Sequence, residues 1–224
     1  MPQHITVVNY DPEWPSKYVR ERDYITEILK DNCISIYHIG STSVPGLAAK
    51  PIIDIMVVVR SLERVDTVAE KLSNIGYEYL GEFGIAGRRY LRKGGDERTH
   101  QIHIFQADDW NNIGRHLAFR DYMRTHERER NQYAKIKKDL AQKFPYDIDG
   151  YCNGKENFVR EMENYALVQY DGIWDKLYIA ARKAQTRWKP QISEQAVVVE
   201  IDEGQDEDSV PHQNIVGDVT GDDE

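Results

Sequence analysis

Residues 37–46 read YHIGSTSVPG, and residues 50–59 read KPIIDIMVVV. The first stretch ends a β-branched and aromatic run at Gly40, which predicts a strand that stops at a loop. In the second stretch, positions 52–59 are all apolar except Asp54. That pattern is typical of a central strand covered on both faces. We therefore predict a strand, a loop of small residues and a buried strand.

The loop and the acidic residue together predict a phosphate site. Segment 40–46 contains two glycines, one proline and three hydroxyl residues, a composition that needs special dihedral angles and exposes backbone N–H groups. A carboxylate in a buried strand costs several kcal/mol unless a metal, a cation or hydrogen-bond donors compensate it. The loop and strand resemble those with which nucleotidyltransferase-fold enzymes present a triphosphate to magnesium, and this resemblance implies that Asp54 anchors Mg²⁺ beside phosphates held by the loop. The alternative is that Asp54 caps a neighbouring loop or pairs with Lys50 or an arginine.

Six motifs resemble those of the GrpB family, in the family's order, between about residues 5 and 170. They are 10–15 (YDPEWP), 38–47 (HIGSTSVPGL), 50–54 (KPIID), 84–89 (GIAGRR), 98–103 (RTHQIH) and 116–122 (HLAFRDY). The resemblance implies an α+β, nucleotidyltransferase-like fold: a mixed sheet flanked by helices, with a helical C-terminal part. It also implies a transferase that moves a nucleotidyl or phosphoryl group from a nucleoside triphosphate to a small acceptor. The alternatives are a non-catalytic nucleotide- or anion-binding module and an ATP-dependent ligase that uses the same cleft.

One residue departs from the pattern of the nucleotidyltransferase superfamily. Two-metal transfer needs carboxylates that converge on both ions, and alternate residues of one strand share a face. The position that would carry the second carboxylate is Met56, whose thioether is a poor ligand for magnesium. Three hypotheses stay open: the site binds one metal, another side chain substitutes, or the site is not catalytic.

Histidines and arginines supply the other candidate site residues. Because His100 and His103 are three residues apart in a predicted strand, they should face opposite sides, and we favour His103 as the partner of Asp54. General base, metal ligand, neutral donor to a phosphate and buried core residue are all open roles for His103. The predicted catalytic residues are Asp54 and His103, with Asp54 as the metal ligand; the predicted phosphate-binding residues are Gly40, Ser41, Thr42, Ser43, Lys50, Arg88, Arg89, His100 and Arg120.

The chain divides by pattern into three segments. Residues 1–108 carry the predicted strands, including an edge strand at 5–8, and a helix at 62–72 with Ser61 as its N-cap. Residues 109–188 show helical periodicity and should pack on that core. Residues 189–224 hold eleven acidic residues and one lysine, which predicts a mostly disordered tail.

Charge, apolar runs and cysteine positions limit the binding partners and the location that we expect. The net charge of −9 belongs to the acidic tail, because residues 1–188 carry about +1; we therefore expect no nucleic-acid partner. Apolar runs stay below the roughly 20 residues of a membrane span, and the N-terminus lacks a signal-like segment. Cys33 and Cys152 are far apart in sequence, which suits free thiols. We expect a cytoplasmic protein.

Overall fold

The structure is a computed structural model, and it describes residues 4–169. Five strands and six α-helices follow one another along this part of the chain. They are α1 (Trp14–Leu29), β1 (Cys33–Ile39), β2 (Ile53–Val59), α2 (Leu62–Asp66), α3 (Ala69–Asn74), β3 (Tyr77–Tyr79), β4 (Arg88–Lys93), β5 (His100–Gln106), α4 (Trp110–Thr125), α5 (Glu127–Lys143) and α6 (Ile148–Gln169).

The strands form one mixed sheet in the order β1-β2-β5-β4-β3. Only β2 and β5 run parallel, and the other neighbours are antiparallel. β2 lies inside the sheet, and all seven of its residues are buried, as its continuous apolar run predicts. The predicted fold class, a mixed sheet flanked by helices with a helical C-terminal part, is confirmed.

The two faces of the sheet carry different layers of helix. On one face, Met56 and Phe105 join a core with residues of α4, α5 and α6. On the other, Ile55 and Ile102 join a core with residues of α1, α2 and α3. The alternation of side chains along each strand produces this separation. Asp54 lies two residues before Met56 and therefore shares the face of the C-terminal helices.

Two local predictions differ from the structure. The helix predicted at 62–72 is broken between Asp66 and Ala69, where the β-branched pair Thr67 and Val68 is unfavourable for helix. Ser61 nevertheless caps its first part, since its hydroxyl accepts a hydrogen bond from the Arg64 amide. The edge strand predicted at 5–8 is absent. Its backbone instead forms one bridge, Val8 to Ala49, and a hydrogen bond from Ile5 N–H to Pro145 O.

The helical segment begins at Trp110, close to the boundary predicted at residue 109. α4 packs against both α5 and α6, and side chains from all three share the core around Met56. Residues 170–188 of the predicted helical segment and the acidic segment 189–224 lie outside the described residues. Within residues 4–169, no helix is long and apolar enough to cross a membrane.

A candidate anion site around Asp54

The centre of the site is the contact between Asp54 and Gly40. Asp54 is the second residue of β2, and its side chain is buried. Gly40 follows β1 with φ +64° and ψ −174°, a conformation that is essentially restricted to glycine. A Cβ atom at Gly40 would lie 2.9 Å from both Cβ and Cγ of Asp54, and closer still to Oδ2. The glycine therefore lets the loop backbone approach the carboxylate.

The loop after Gly40 is a single 3₁₀ turn, Ser41–Ser43. The Ser43 N–H donates to Gly40 O over 3.2 Å, and the Ser43 hydroxyl donates to the same oxygen over 2.6 Å. Ser43 is thus engaged inside the turn in this structure, and its role in phosphate binding stays a prediction. The Ser41 hydroxyl lies 2.7 Å from the Nζ atom of Lys137 and borders the cavity at Asp54.

Two arginines of α4 donate to backbone carbonyl groups, one in this loop and one in β1. Arg124 donates from Nε and Nη2 to Ser43 O over 3.1 and 2.8 Å. Arg120 donates from Nη1 to His38 O over 3.4 Å and pairs with Asp121 at 2.6 Å. Arg120, predicted to bind phosphate, therefore contacts the backbone of β1 in this structure.

His38 supports the loop from the other side. Its Nε2 atom lies 3.0 Å from the hydroxyl oxygen of Thr42, and its ring stacks on Tyr18 with centroids 4.8 Å apart. Burial lowers the pKa of His38 to about 3, and the nearby charges of Arg124 and Arg120 act in the same direction. His38 is therefore a neutral imidazole at neutral pH. It positions Thr42.

His103 faces Asp54 from the neighbouring strand. Its Nε2 atom lies 4.0 Å from Asp54 Oδ1, and both side chains are buried. The Nη1 atom of Arg88 lies 3.3 Å from the Nδ1 atom of His103. Because a guanidinium can only donate, Nδ1 accepts and the ring proton lies on Nε2, the atom nearer to Asp54. His103 therefore presents an N–H donor to the site.

Arg88 is fixed by several contacts besides His103. It donates to the carbonyl oxygens of Glu82 and Phe83 over 3.2 and 2.5 Å. Its guanidinium also lies 4.9 Å from the centre of the Tyr90 ring. Burial raises the pKa of the Tyr90 phenol, so that this side chain is a neutral neighbour of the charged groups. The side chain of Arg88 is thus a buried positive charge behind His103.

The C-terminal helices contribute two further cations, Lys137 from α5 and Lys155 from α6. Lys137 is 2% exposed and donates to the Ser41 hydroxyl over 2.7 Å. Lys155 is fully buried, and its Nζ atom lies 5.0 Å from the centre of the Tyr151 ring. Lys50 lies 5.5 Å from the same ring centre. Lys50 and Lys137 thus border the small cavity at Asp54, and Lys155 lies beside Tyr151, which borders the same cavity.

Sequence patterns alone did not single out Lys137 and Lys155. Each lies in the apolar stripe of its helix, four residues after a buried tyrosine, Tyr133 or Tyr151. A lysine is almost never buried unless it is paired. A lysine at a core-facing position of an amphipathic helix is therefore unusual, and this feature of the sequence could have identified both residues as candidates for the site.

Two predicted phosphate-binding residues are not brought to this site. Arg89 and His100 point away from the face of Asp54, because their neighbours Arg88 and Gln101 alternate onto it. Arg89 makes a bidentate pair with Asp66 at 2.7 and 2.9 Å. Burial lowers the pKa of His100, and Glu21 of α1 opposes that shift. Both residues belong to the layer of the N-terminal helices.

Two cavities lie near Asp54. A cavity of about 10 Å³ touches Asp54, Ser41 and Lys137, which is room for about one water molecule. A second space, a cleft of about 700 Å³, lies next to it. Lys50 and Ile52 border both spaces. The small cavity and the cleft are therefore adjacent.

The donors around Asp54 do not fit a two-metal centre. Within residues 4–169, no group of three or more His, Cys, Asp or Glu side chains is arranged to hold a metal ion. Met56 is completely buried in the core shared with α4 to α6. Mg²⁺ can bind through one carboxylate together with the phosphates of a substrate, and this is the mode that the described residues fit.

The fold and the site together define an α+β domain in which a glycine loop and buried cations enclose one carboxylate. The chain belongs to the GrpB family, since the family model described as GrpB protein matches residues 4–165. A crystal structure of the conserved protein GrpB from Enterococcus faecalis is 48% identical, with a TM-score of 0.72. The match covers 74% of this chain and 99% of that one.

Three further proteins are similar in sequence to most of this chain. The UPF0157 protein YqkA of Bacillus subtilis is 41% identical over 162 residues, which cover 72% of this chain but only 47% of YqkA. The glutamate-rich protein GrpB of Alkalihalophilus pseudofirmus is 34% identical over 71% of this chain and 94% of its own length. A dephospho-CoA kinase of Mycolicibacterium paratuberculosis is 26% identical over 83% of this chain and 48% of its length. The chain thus spans about half of YqkA and of the kinase.

Proposed function

We propose that the protein binds a nucleoside triphosphate at Asp54 and transfers a nucleotidyl or phosphoryl group to a small acceptor. The observation that carries the proposal is the contact of Asp54 with the Gly40 backbone, together with Lys50 and Lys137, which border the same small cavity as Asp54. A phosphate chain needs fixed positive charge and hydrogen-bond donors, and groups that are held in place before binding stabilise the charge of the transition state best. Lys137, which is held at Ser41, is such a group.

Each side chain of the site has a role that follows from its chemistry. Lys50 and Lys137 attract phosphate oxygens, and they offset the charge that develops during transfer. His103 donates a hydrogen bond from Nε2–H to a phosphate oxygen. Asp54 would hold Mg²⁺ that arrives with the triphosphate. The ion, when bound, acts as a Lewis acid on a phosphoryl oxygen. Arg88 positions His103 by its hydrogen bond to Nδ1.

A second candidate is a non-catalytic module that binds nucleotides or other anions. The observation that favours it is Met56, which occupies the second-carboxylate position and is completely buried in the core. A site with a single carboxylate keeps its cations and its glycine loop, and these suffice for anion binding without transfer.

Transfer of isotopic label separates the two candidates. ATP labelled at the α- or the γ-phosphate is incubated with the protein, Mg²⁺ and a small-molecule acceptor, and labelled products are separated by chromatography. Dephospho-CoA is the first acceptor to test, because a kinase relative carries that name; a fractionated metabolite extract is the second. Label from the α-phosphate in a new product indicates nucleotidyl transfer, and label from the γ-phosphate indicates phosphoryl transfer.

Asp54→Asn is the matched control. It keeps the size of the side chain and removes its charge, so it should abolish transfer. If ATP raises the melting temperature of the wild-type protein but no label moves with either acceptor source, the anion-binding module replaces the transferase. If no nucleoside triphosphate changes the melting temperature, the transferase and a nucleotide-binding module are both wrong, and only a module for other anions is left.

A further inference from the structure

A cleft of about 700 Å³ lies at the end of the sheet where β2 and β5 begin. Residues 4–6 and the link between α5 and α6 form one wall, and the β4–β5 loop at residues 94–99 forms the other. Residues 50–52 lie between these walls. The volume is in the range of about 300–1,000 Å³ that is usual for small-molecule sites.

Basic side chains connect this cleft with Asp54. Lys50 and Arg98 line the cleft, and Lys50 also borders the small cavity at Asp54. Burial lowers the pKa of Arg98, while the nearby Tyr90 and Asp54 groups act in the opposite direction. Arg98 therefore lies within electrostatic reach of Asp54. Arg92, Asp96 and Glu97 also line the cleft, so its lining is of mixed charge. Lys50 and Arg98 are the positive groups in it that border the cavity at Asp54 or interact with Asp54 electrostatically.

The β4–β5 loop holds Arg98 in place. Gly94 has φ +102°, and a Cβ atom there would lie 3.0 Å from the Thr99 amide nitrogen, so the turn is tight. The Thr99 N–H donates to Lys93 O, and Thr99 O accepts from the Ile53 N–H, both over 2.9 Å. The loop is thereby attached to the start of β2, one residue before Asp54.

The opposite wall carries an exposed aromatic ring. Tyr146 is 59% exposed and meets His4 edge-on, with ring centroids 5.1 Å apart. The hydrogen bond from Ile5 N–H to Pro145 O, 2.9 Å long, holds the two segments together. A T-shaped contact with one neighbour covers at most one face of the tyrosine ring, so the other face is left for stacking. A cleft lined by basic groups and by an aromatic ring suits a ligand that is both anionic and aromatic.

We propose that this cleft holds the nucleoside of the triphosphate, with its base stacked on Tyr146 and its phosphates running past Lys50 and Arg98 toward Asp54. The inference rests on the proposed function, because it assigns the remainder of the same ligand. In this arrangement, different parts of the cleft recognise different parts of the nucleotide. The base contacts Tyr146, and the phosphates contact the cations.

Titration calorimetry with two probes, ATP and inorganic tripolyphosphate, tests this division. Tyr146→Ala should weaken ATP binding at least fivefold, which corresponds to about 1 kcal/mol of base stacking, and should leave tripolyphosphate binding unchanged. Arg98→Gln should weaken the binding of both probes. Tyr24→Ala is the matched control, because Tyr24 is also 59% exposed but lies on α1, away from the cleft; it should change neither affinity.

The outcomes separate the inference from the proposed function. Unchanged ATP affinity in Tyr146→Ala overturns the stacking site and leaves the phosphate site standing. Binding of tripolyphosphate but not ATP by the wild-type protein overturns the nucleoside site and favours a simple anion module. Failure to bind either probe overturns both proposals. Tyr146 is exposed, so its substitution should leave the melting temperature unchanged, and the result can be interpreted even if Arg98→Gln fails to fold.

Discussion

Gly40 lies so close to Asp54 that a Cβ atom on the glycine would be 2.9 Å from Cγ of the carboxylate. This contact joins the end of β1 to the start of β2, and no other residue type can occupy position 40 without moving one of them. The backbone conformation of Gly40 adds a second reason, since φ +64° with ψ −174° excludes side chains. The glycine is thus required both by its dihedral angles and by the neighbouring acid.

Gly40→Ala should therefore cost more stability than strain alone explains. Gly81→Ala is the matched control, because Gly81 has φ +66° but a Cβ atom there would meet nothing within 4 Å. We expect the control to lose roughly 1–2 kcal/mol from backbone strain and Gly40→Ala to lose about 2 kcal/mol more, from its glycine-only ψ and from the collision together. Urea unfolding measures both. Equal losses would show that the loop moves away from Asp54 at little cost.

Met56→Asp should destabilise the protein instead of restoring a metal pair. Met56 is completely buried in the core beneath α4 to α6, and an uncompensated carboxylate there should cost at least about 3 kcal/mol. Met56→Leu keeps the volume and should cost less than about 1.5 kcal/mol. A stable Met56→Asp variant that binds Mg²⁺ more tightly in calorimetry would place position 56 in the site.

Strand alternation predicted that His103 and His100 face opposite sides of the sheet and favoured His103 as the partner of Asp54, and the structure shows this separation. Alternation did not predict which of Arg88 and Arg89 shares the face of Asp54; the register of β4 places Arg88 there. Their roles in binding or catalysis stay predictions. The six motifs, which occur in the family's order, also predicted the GrpB family correctly. They are distributed over most of the domain, so together they identify it better than any single helix or strand does.

The remainder of the site could not be predicted from local patterns. Lys137 comes from α5, and only the packing of this helix over the sheet brings it to the cavity at Asp54. Lys155 of α6 lies beside Tyr151, another residue that borders this cavity. The contacts of the loop after Gly40 also depend on tertiary packing and could not be predicted from its composition. Arg124 binds Ser43 O, and the amide of Ser43 closes its own turn. A composition rich in glycine and serine reveals neither contact.

Lys137→Met should weaken polyphosphate binding about tenfold, equivalent to about 1.4 kcal/mol. Methionine keeps the length of the side chain but removes both the charge and the donor to Ser41. Lys135→Met is the control from the same helix, since its side chain is 77% exposed and pairs with Asp139; it should change affinity little. The measurement is calorimetry with tripolyphosphate. If the two variants bind equally well, Lys137 only supports the loop.

His38 should make stability depend on pH in the acidic range. Its pKa is about 3 in the folded protein and about 6.5 in the unfolded chain, so between these values the unfolded state binds the extra proton. Stability contributed by neutral His38 is therefore complete above about pH 6.5 and decreases as the pH falls toward 3. Burial causes the shift, and Arg124, Arg120 and His100 add to it.

From pH 7 to pH 5, this single group should remove about 2 kcal/mol from the free energy of unfolding. His38→Gln cannot take up the proton, so the difference between wild type and variant isolates this contribution from the other titrating groups. Urea unfolding at the two pH values measures it. Parallel pH profiles for the two proteins would mean that His38 becomes protonated in the folded state. The ring would then have moved from Thr42 into solvent, and the loop beside Asp54 would not depend on a neutral imidazole.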